Sequence, residues 1–231
     1  MISLEFCSRG DSRYKEIRDG HYVDSFGAHG QQIHFLVWDE DRLAGIISAG
    51  SAVYAVGARD EFFGIPKDRR LRERLYLSAI ANNTVFRLLD REKHAVNGYP
   101  DPLGTQVLAL WRKTAAQLWQ ELYSVPLIGF ETFIVAESWR QGSMYKADNW
   151  TIVGETAGSA KHHRGGGQGL THSHERLDTN KKLILCRWAR KKVVPEVEYK
   201  SSWRAETEEE KARARAIARR RKELLGERFT K

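Results

Sequence analysis

Short apolar runs separated by polar turns dominate the first part of the chain. The runs 33–38 and 43–48 flank the polar tetrapeptide 39–42, and this spacing predicts a β-hairpin. A third apolar run, 75–81, predicts another strand and is followed by the adjacent amides Asn82 and Asn83. The succession predicts a sheet that begins with antiparallel strands.

The apolar spacing becomes helical after Asp101. An aspartate caps free helical N–H groups and a proline suits the first helical position, so Asp101-Pro102 predicts a helix start. Apolar residues then recur at intervals of three or four, which predicts one amphipathic helix over about 103–122. Strand character resumes at 125–135, 151–153 and 183–188. The chain is therefore predicted to be an α+β domain with one mixed sheet.

The last third of the chain has a different composition. Residues 1–160 carry 18 basic and 20 acidic side chains, whereas residues 161–231 carry 20 basic and 10 acidic ones. The Gly- and His-rich segment 161–176 predicts a mobile loop. Thr207, followed by three glutamates, predicts the start of a final helix. We therefore expect one folded domain over 1–203 and a basic C-terminal helix over 204–231.

The basic end of the chain favours a nucleic-acid partner, because Lys and Arg release the counterions that are condensed on phosphates. An anionic membrane surface and simple solubility are the alternatives. Histidines of the segment 161–176 give a weak metal signal without a Cys pair or a His-Glu motif, so no metal is predicted. The candidate nucleic-acid contacts are His162, His163, Arg164, Arg219, Arg220 and Arg221.

The expected compartment is the cytoplasm. No apolar run approaches the ~20 residues of a membrane-spanning helix, and the N-terminus lacks a signal-peptide pattern. Cys7 and Cys186 are too distant in sequence to suggest a metal pair and too few for a disulfide framework, so both are expected to be buried thiols.

The segment 131–158 concentrates chemically useful side chains between two strand-like runs. Tyr145 and Trp150 offer aromatic faces for an extruded base, while Asp148 and Asn149 offer acceptors for its exocyclic amine. Asp148 is the candidate base, because drawing a proton from that amine makes its nitrogen more nucleophilic. A helix-capping carboxylate is the alternative role of Asp148.

Three further features bear on chemistry. Glu131 lies within an apolar run, so burial is expected to raise its pKa and make it a better proton carrier, with an ion pair to an arginine as the alternative. Asn82 and Asn83 either end their strand or bind the polar edge of a ligand, and at most one should face a pocket. The arginines between Arg59 and Arg74 are interpreted as a solvated face.

The order of these motifs along the chain resembles that in the Mom family of phage DNA-modification proteins and in the related core of the Druantia defence protein DruA. The resemblance covers about residues 13–158, and its most specific block is 142–156, which reads GSMYKADNWTIVGET. The other matching elements are His21-Tyr22, the hairpin 33–48, Arg59-Asp60 with Phe63-Gly64, Asn82-Asn83 with Phe86, and Glu131-Thr132-Phe133.

The resemblance implies a fold similar to the GNAT acyltransferases, with a mixed, largely antiparallel sheet flanked by helices. It also implies an enzyme that places a carbamoylmethyl group on the exocyclic amine of adenine in double-stranded DNA and so protects phage DNA from host restriction. We assign two sets of candidates on this basis. The catalytic candidates are Asp148, Tyr145, Glu131 and Asn82, and the substrate-binding candidates are Asn83, Asn149, Trp150 and Lys146.

The carbamoylmethyl product bears on the donor. It contains the two carbons and one nitrogen of a glycyl unit, so we expect a glycine-derived donor such as glycyl-tRNA, with the basic end of the chain holding the RNA or the DNA. Acetyl-coenzyme A is the alternative donor. The segment 98–105 argues against it, because prolines and Asp101 stand where GNAT enzymes bind pyrophosphate with backbone N–H groups.

Two other functions remain open at this stage. One is a DNA-binding defence-type module without catalysis, in which the segment 131–158 forms a recognition pocket. The other is an RNA-binding acyltransferase that modifies a protein or a small molecule.

Overall fold

Seven strands form one mixed sheet in the order β1-β2-β3-β4-β5-β7-β6. The computed structural model describes residues 1–20, 30–69, 72–89, 102–135, 142–156, 181–190 and 206–225. All neighbouring strands are antiparallel except β4 and β5, which are parallel, so the predicted α+β class with a largely antiparallel sheet is confirmed. The strands are β1 (Ile2–Cys7), β2 (Gln32–Asp39), β3 (Arg42–Ser51), β4 (Ile80–Leu88), β5 (Gly129–Val135), β6 (Thr151–Glu155) and β7 (Lys182–Trp188).

Helices cover both faces of this sheet. On one face, Tyr14 of α1 joins a buried cluster with Leu36 of β2. On the opposite face, the ring of Trp111 in α3 lies 5.2 Å from the ring of Phe130 in β5. The described helices are α1 (Ser12–Asp19), α2 (Gly57–Phe63), α3 (Leu103–Tyr123), α4 (Ser143–Ala147) and α5 (Glu208–Leu225).

Two sequence predictions are confirmed closely. The hairpin is formed by β2 and β3, with Asp39 paired to Arg42 across a turn in which Glu40 has a φ of 55°. The amphipathic helix is α3, although Pro102 occupies the cap position and the helix begins at Leu103. The proposed cap, Asp101, lies outside the described residues.

The prediction of a strand over 75–81 is wrong. A π-helical turn spans Arg72–Tyr76, and a 3-10 turn spans Leu77–Ala79, before β4 begins at Ile80. A short, continuous apolar run has no periodicity that separates a buried strand from buried helical turns. Asn82 and Asn83 therefore lie inside β4 and not at the end of a strand. The strand predicted from 125 likewise begins later, at Gly129.

The parallel contact between β4 and β5 is short. It runs from the pair Ile80–Gly129 to the pair Asn83–Thr132 and joins two antiparallel half-sheets. Helix α2 packs over this seam, because a Cβ atom at Gly129 would lie 2.2 Å from the ring of Phe63. The glycine thus permits a close approach that brings α2 over the start of β5.

Helix α5 begins with the capping arrangement that the sequence predicts. The backbone N–H of Glu210 donates to Thr207 Oγ1 at 3.2 Å, and the N–H of Thr207 donates back to Glu210 Oε2 at 3.3 Å. Ala214 is buried, and Arg220 Nη2 lies 2.5 Å from Glu121 Oε1 on α3. The helix is therefore docked on α3, while the division of the chain at residue 203 stays a prediction.

The membrane and cysteine expectations can be compared with the described residues. None of the described helices combines the length and apolar character needed to cross a bilayer. Cys7 and Cys186 are buried free thiols, as predicted. Burial raises the pKa of the Cys7 thiol to about 12, which leaves it protonated and unreactive at neutral pH.

Candidate active site

Two predicted catalytic residues meet at the seam between β4 and β5. Asn82 is paired with Glu131 in the parallel register, so the two side chains leave the same face of the sheet from strands about 4.8 Å apart. Glu131 is fully buried, and Asn82 is only 8% exposed. Within the described part of the chain, Asn82 Oδ1 is buried and has no hydrogen-bond partner. A buried carboxyl group therefore lies beside an unused amide acceptor.

Glu131 is held by a buried arginine and by the backbone. Arg59 Nη1 donates to Glu131 Oε2 at 2.5 Å, and the N–H of Val53 donates to Glu131 Oε1 at 2.6 Å. Arg59 Nη2 also donates to the carbonyl oxygen of Val53 at 2.7 Å. The ion pair that we considered as an alternative is thus present. The interpretation of Arg59 as part of a solvated face is wrong, because α2 turns this side chain inward onto a carboxylate that is remote in sequence.

The pKa of Glu131 lies in the range that proton transfer requires. Burial raises this pKa to about 7, and the positive charge of Arg59 and the N–H of Val53 oppose the rise without cancelling it. A carboxyl group with a pKa near neutrality can both accept and release a proton at physiological pH. The elevated pKa and the ion pair, which we treated as alternatives, therefore occur together.

The segment 52–56, between β3 and α2, covers this buried pair. Its Val53 and Tyr54 side chains are 42% and 53% exposed, so Glu131 lies directly below the surface. Arg72 holds the segment in place, because it donates hydrogen bonds to the carbonyl oxygen of Tyr54 and to the carboxylate of Asp60. The same carboxylate accepts a hydrogen bond from Arg59 at 2.7 Å. The guanidinium carbon of Arg72 lies 5.4 Å from the ring centre of Tyr54. An exposed aromatic ring with a cation on it therefore marks the surface above the site.

The neighbouring amide, Asn83, serves the opposite face of the sheet. Tyr145 OH donates to Asn83 Oδ1 at 2.7 Å, and Asn83 Nδ2 donates to the carbonyl oxygen of Ser48 at 2.9 Å. Both functions of this amide are therefore used inside the protein. Of the two neighbouring asparagines, Asn82 is therefore the one whose acceptor has no partner among the described residues.

Asp148 is bound by protein groups on both carboxylate oxygens. Arg112 donates through Nε and Nη2 at 2.7 Å each, and Trp150 Nε1 donates at 2.9 Å. Trp150 and Tyr145 are 4% and 6% exposed, and their rings pack edge to face 5.2 Å apart. These rings therefore do not present a face to an extruded base, because they complete the core beside β5. The contacts of Asp148 favour a positioning role, and its role as a base stays a prediction.

The remaining candidates do not join the seam site. Lys146 and Asn149 are exposed, and Asn149 has a φ of 57°. Arg219 is exposed on α5, whereas Arg220 is paired with Glu121 and so docks its own helix. In the described ranges, no group of three or more His, Cys, Asp or Glu side chains is placed to hold a metal ion. His162, His163, Arg164 and the side chain of Arg221 lie outside the described residues.

The start of α3 lacks one of the backbone donors that a pyrophosphate site at this position would use. Pro102 at the cap has no N–H, and no side chain caps the helix. The space in front of Gly104 is taken by α4, because a Cβ atom there would lie 2.3 Å from Met144 Sδ. Most of the argument against this donor rests on residues 98–101, which lie outside the described residues, so it stays a prediction.

Sequence reasoning missed the arginines that hold both carboxylates. Arg59 stands beside Asp60 in a motif that carries the family resemblance, and that adjacent acid was the available signal. Arg112 directly follows the buried Trp111 of α3, and nothing local distinguishes it from a surface arginine. Its partner, Asp148, is 36 residues further along the chain, so only the tertiary structure reveals the pair.

Replacing Asp148 with alanine should lower the free energy of unfolding by about 3 to 5 kcal/mol. The change leaves the guanidinium group of Arg112 and the indole N–H of Trp150 without their partner in a buried setting. Urea denaturation followed by circular dichroism measures the effect, with Glu16→Ala, an exposed carboxylate on α1, as the matched control. A loss below about 1 kcal/mol, the range of exposed pairs, would contradict the positioning role.

Comparison with known proteins places these features in context. A family model described as Druantia protein DruA matches residues 7–184. A search of curated protein sequences found no match. The chain is also similar to several solved acetyltransferases, but TM-scores below 0.5 carry no inference about ligands or reaction.

The similar structures include three from different bacteria. A spermidine N-acetyltransferase SpeG mutant from Vibrio cholerae has 11% identity and a TM-score of 0.48, covering 83% of this chain and 96% of that one. An acetyltransferase from Bacillus subtilis in complex with CoA has 12% identity and a TM-score of 0.42, with 80% and 97% covered. A GNAT-family acetyltransferase from Streptococcus pneumoniae has 13% identity and a TM-score of 0.36, with 68% and 66% covered.

Proposed function

The chain belongs to the family of the Druantia protein DruA, and we propose that it is a DNA-modifying transferase acting on the exocyclic amine of adenine. The group transferred is carbamoylmethyl, as the resemblance to the Mom family implies, and the biological role is protection of DNA from restriction. The observation that carries this proposal is the pairing of Asn82 with Glu131. An unused acceptor and a proton acceptor lie side by side below the surface.

The two side chains match the needs of an aromatic amine. The amine nitrogen of adenine is a poor nucleophile while its lone pair is conjugated with the ring. Asn82 Oδ1 accepts one N–H of the amine and orients it, and the Glu131 carboxylate accepts the proton that is lost. In the case of glycyl-tRNA, the nitrogen bonds to the carbonyl carbon of the glycyl ester, and the ester C–O bond breaks, so the tRNA leaves as a ribose hydroxyl that takes up the proton. The N-glycyl group formed in this way is an isomer of carbamoylmethyl and is converted to it by intramolecular rearrangement.

Arg59 keeps Glu131 ready for this step. Its guanidinium group fixes one carboxylate oxygen, and its charge limits the rise in pKa that burial alone would cause. At neutral pH a substantial fraction of Glu131 is therefore ionised, although the group is surrounded by protein. A glycine-derived donor such as glycyl-tRNA fits the transferred atoms, and the residues at the start of α3 disfavour acetyl-coenzyme A.

The surface above the site suits a base that has left the duplex. Tyr54 offers an exposed ring with the guanidinium group of Arg72 beside it, and bases stack on such rings. Access to Glu131 requires the segment 52–56 to move aside, because the backbone of Val53 is hydrogen-bonded to both Glu131 and Arg59. The basic C-terminal third supplies phosphate contacts that are independent of sequence.

Replacing Asn82 with alanine should remove most of the modified adenine from the DNA of cells that express the protein. The amine nitrogen gains positive charge as it attacks, so the lost hydrogen bond is one to a charged group and is worth about 1.5 to 3 kcal/mol, or about 10- to 150-fold in rate. Mass spectrometry of nucleosides measures the product as an adenosine species enlarged by one carbamoylmethyl group. Gln117→Ala, which removes an exposed side-chain amide on α3, is the matched control.

The same experiment tests the proposed function itself. If well-folded, unchanged protein leaves the DNA unmodified when glycine-charged tRNA is present, the enzyme proposal fails. If Asn82→Ala modifies DNA as fully as the unchanged protein, the transferase proposal survives but the assigned site does not.

A DNA-binding module without catalysis is the second candidate function. The observation in its favour is that Asp148, Tyr145 and Trp150, which carry the most specific resemblance, are buried and bonded to one another or to protein groups. Such a module would bind duplex DNA with a strong dependence on salt and leave every nucleoside unchanged. Nucleoside analysis and a salt titration of binding therefore separate the two functions.

A further inference from the structure

Arg187 on β7 carries a charge that the described residues do not balance. Its Nη1 lies 3.5 Å from Asp148 Oδ1, yet this nitrogen is buried and has no hydrogen-bond partner in the described part of the chain. Asp148 already receives two hydrogen bonds from Arg112 and one from Trp150. Two guanidinium groups therefore share one carboxylate, and of the two only Arg112 is hydrogen-bonded to it.

The electrostatics of Arg187 agree with this count. Its pKa is lowered by burial first and by the positive charge of Arg112 second, and Asp148 raises it only in part. The side chains of Arg112 and Arg187 are 14% and 20% exposed, so solvent reaches the cluster but does not surround it. A half-buried cation without a full counter-charge is unfavourable unless an anion joins it.

This cluster is separate from the Asn82–Glu131 site. Glu131 is paired with Cys186 and Phe130 with Arg187, and successive strand residues point to opposite faces of a sheet. Arg187 therefore lies on the face covered by α3, whereas Glu131 lies on the face covered by α2. An anion bound by Arg187 would therefore lie on the opposite side of the sheet from the proposed reaction site. The inference of an anion site does not depend on the proposed function.

We propose that Arg187 and Arg112, positioned by Asp148, form a binding site for a phosphate group. The guanidinium fork matches phosphate oxygens with two parallel hydrogen bonds and stays charged when it is partly buried. Asp148 sets the orientation of Arg112 and brings it next to Arg187. Because two guanidinium groups share one carboxylate, the site has one positive charge in excess. The phosphate comes either from a nucleic-acid backbone or from a small phosphorylated compound.

The first test compares two arginine variants without any ligand. Arg112→Gln removes the partner of a buried carboxylate and should lower the melting temperature clearly. Arg187→Gln removes an unbalanced cation and should leave the melting temperature equal or higher. If Arg187→Gln destabilises the protein as much as Arg112→Gln does, Arg187 is a structural ion-pair residue and the proposal is overturned.

The second test measures binding with defined probes. Sodium pyrophosphate, compared with sodium chloride at equal ionic strength, should raise the melting temperature of the unchanged protein, and a short DNA duplex should bind in a fluorescence titration. We expect Arg187→Gln to weaken binding of at least one probe about 10- to 100-fold, and Arg190→Gln, which changes an exposed arginine nearby, to have little effect.

The probes also distinguish the source of the phosphate. Loss of DNA binding with little change in pyrophosphate binding identifies a backbone phosphate, and loss of pyrophosphate binding with intact DNA binding identifies a small ligand. Arg187→Lys keeps the charge but not the fork, so it should recover binding only in part. Equal binding of both probes by Arg187→Gln and by the unchanged protein would overturn the proposal.

Discussion

DNA treated with the Glu131→Gln variant should carry about 10²- to 10⁴-fold less modified adenine than DNA treated with the unchanged protein. Glutamine keeps the shape of the side chain and an oxygen that accepts from Val53, but it cannot take up a proton. The affinity for DNA should not change, because phosphate contacts dominate binding. Glu61→Gln, which alters an exposed carboxylate on α2, is the matched control.

The modification activity is expected to increase with pH. A base must be ionised to act, and the pKa of Glu131 is about 7, so modification should rise as the pH increases through 7 and level off above it. The measurement uses purified protein in an extract of the expression host that supplies the donor. Residual activity of Glu131→Gln should lack this rise. A profile with the same midpoint in the variant would assign the titration to another group.

Stability should change with pH in the opposite direction. The folded-state pKa of Glu131 lies above the 4.5 of an exposed glutamate, so its contribution to stability is fully present below pH 4.5 and is lost as the pH rises through 7. The same protonation that stabilises the fold therefore stops the reaction. This opposition is expected of a proton carrier that the protein keeps buried.

Replacing Arg59 with methionine should lower the free energy of unfolding by about 3 to 5 kcal/mol at pH 8. Methionine fills the space of the side chain but leaves the ionised Glu131, the carbonyl oxygen of Val53 and one oxygen of Asp60 without their donor. Urea denaturation at several pH values measures the loss. It should shrink as the pH falls, because Glu131 can then bind a proton and become neutral.

A double variant separates the ion pair from packing. Arg59→Met combined with Glu131→Gln has no buried charge left at this position, so it should recover part of the stability lost in Arg59→Met alone. Arg42→Ala, which alters a half-exposed arginine at the hairpin turn, should cost less than about 1 kcal/mol. If Arg59→Met were no more harmful than Arg42→Ala, the inward position of Arg59 would be wrong.

The parts of the fold that local patterns determine could be predicted from the sequence. Helix α3 has a continuous apolar stripe, and the hairpin has two runs around a short turn. Helix α1 escaped notice although Asp11 caps it through a hydrogen bond to the N–H of Arg13, which is a usable signal. Helix α2 has no side-chain cap at its start. Its end was marked in the sequence by Gly64, which adopts the left-handed conformation in the structure.

Two residues of the candidate site could be named from the sequence, but the contacts that hold them could not be predicted. Glu131 was recognised as a polar residue inside an apolar run, and Asn82 as an amide that directly follows one. Their partner Arg59 could not be recognised, because a buried arginine and a surface arginine look the same until the opposing carboxylate is placed. The burial of Tyr145 and Trp150 could not be read from the sequence, since composition does not reveal whether a ring packs inward or faces a ligand.

The short parallel seam also bears on how the chain folds during synthesis. Strands β1 to β4 are neighbours both in the sequence and in the sheet, so they can pair as soon as they leave the ribosome. Strand β5, which covers the other edge of β4, begins only at Gly129. Until then β4 is a bare edge, the kind of strand on which chains associate wrongly. Two consecutive amides, Asn82 and Asn83, stand at the very positions that later pair with β5. Polar side chains at these two positions make the bare edge a poorer site for association than aliphatic side chains would, so changing them to aliphatic residues should lower the yield of soluble protein as well as the activity.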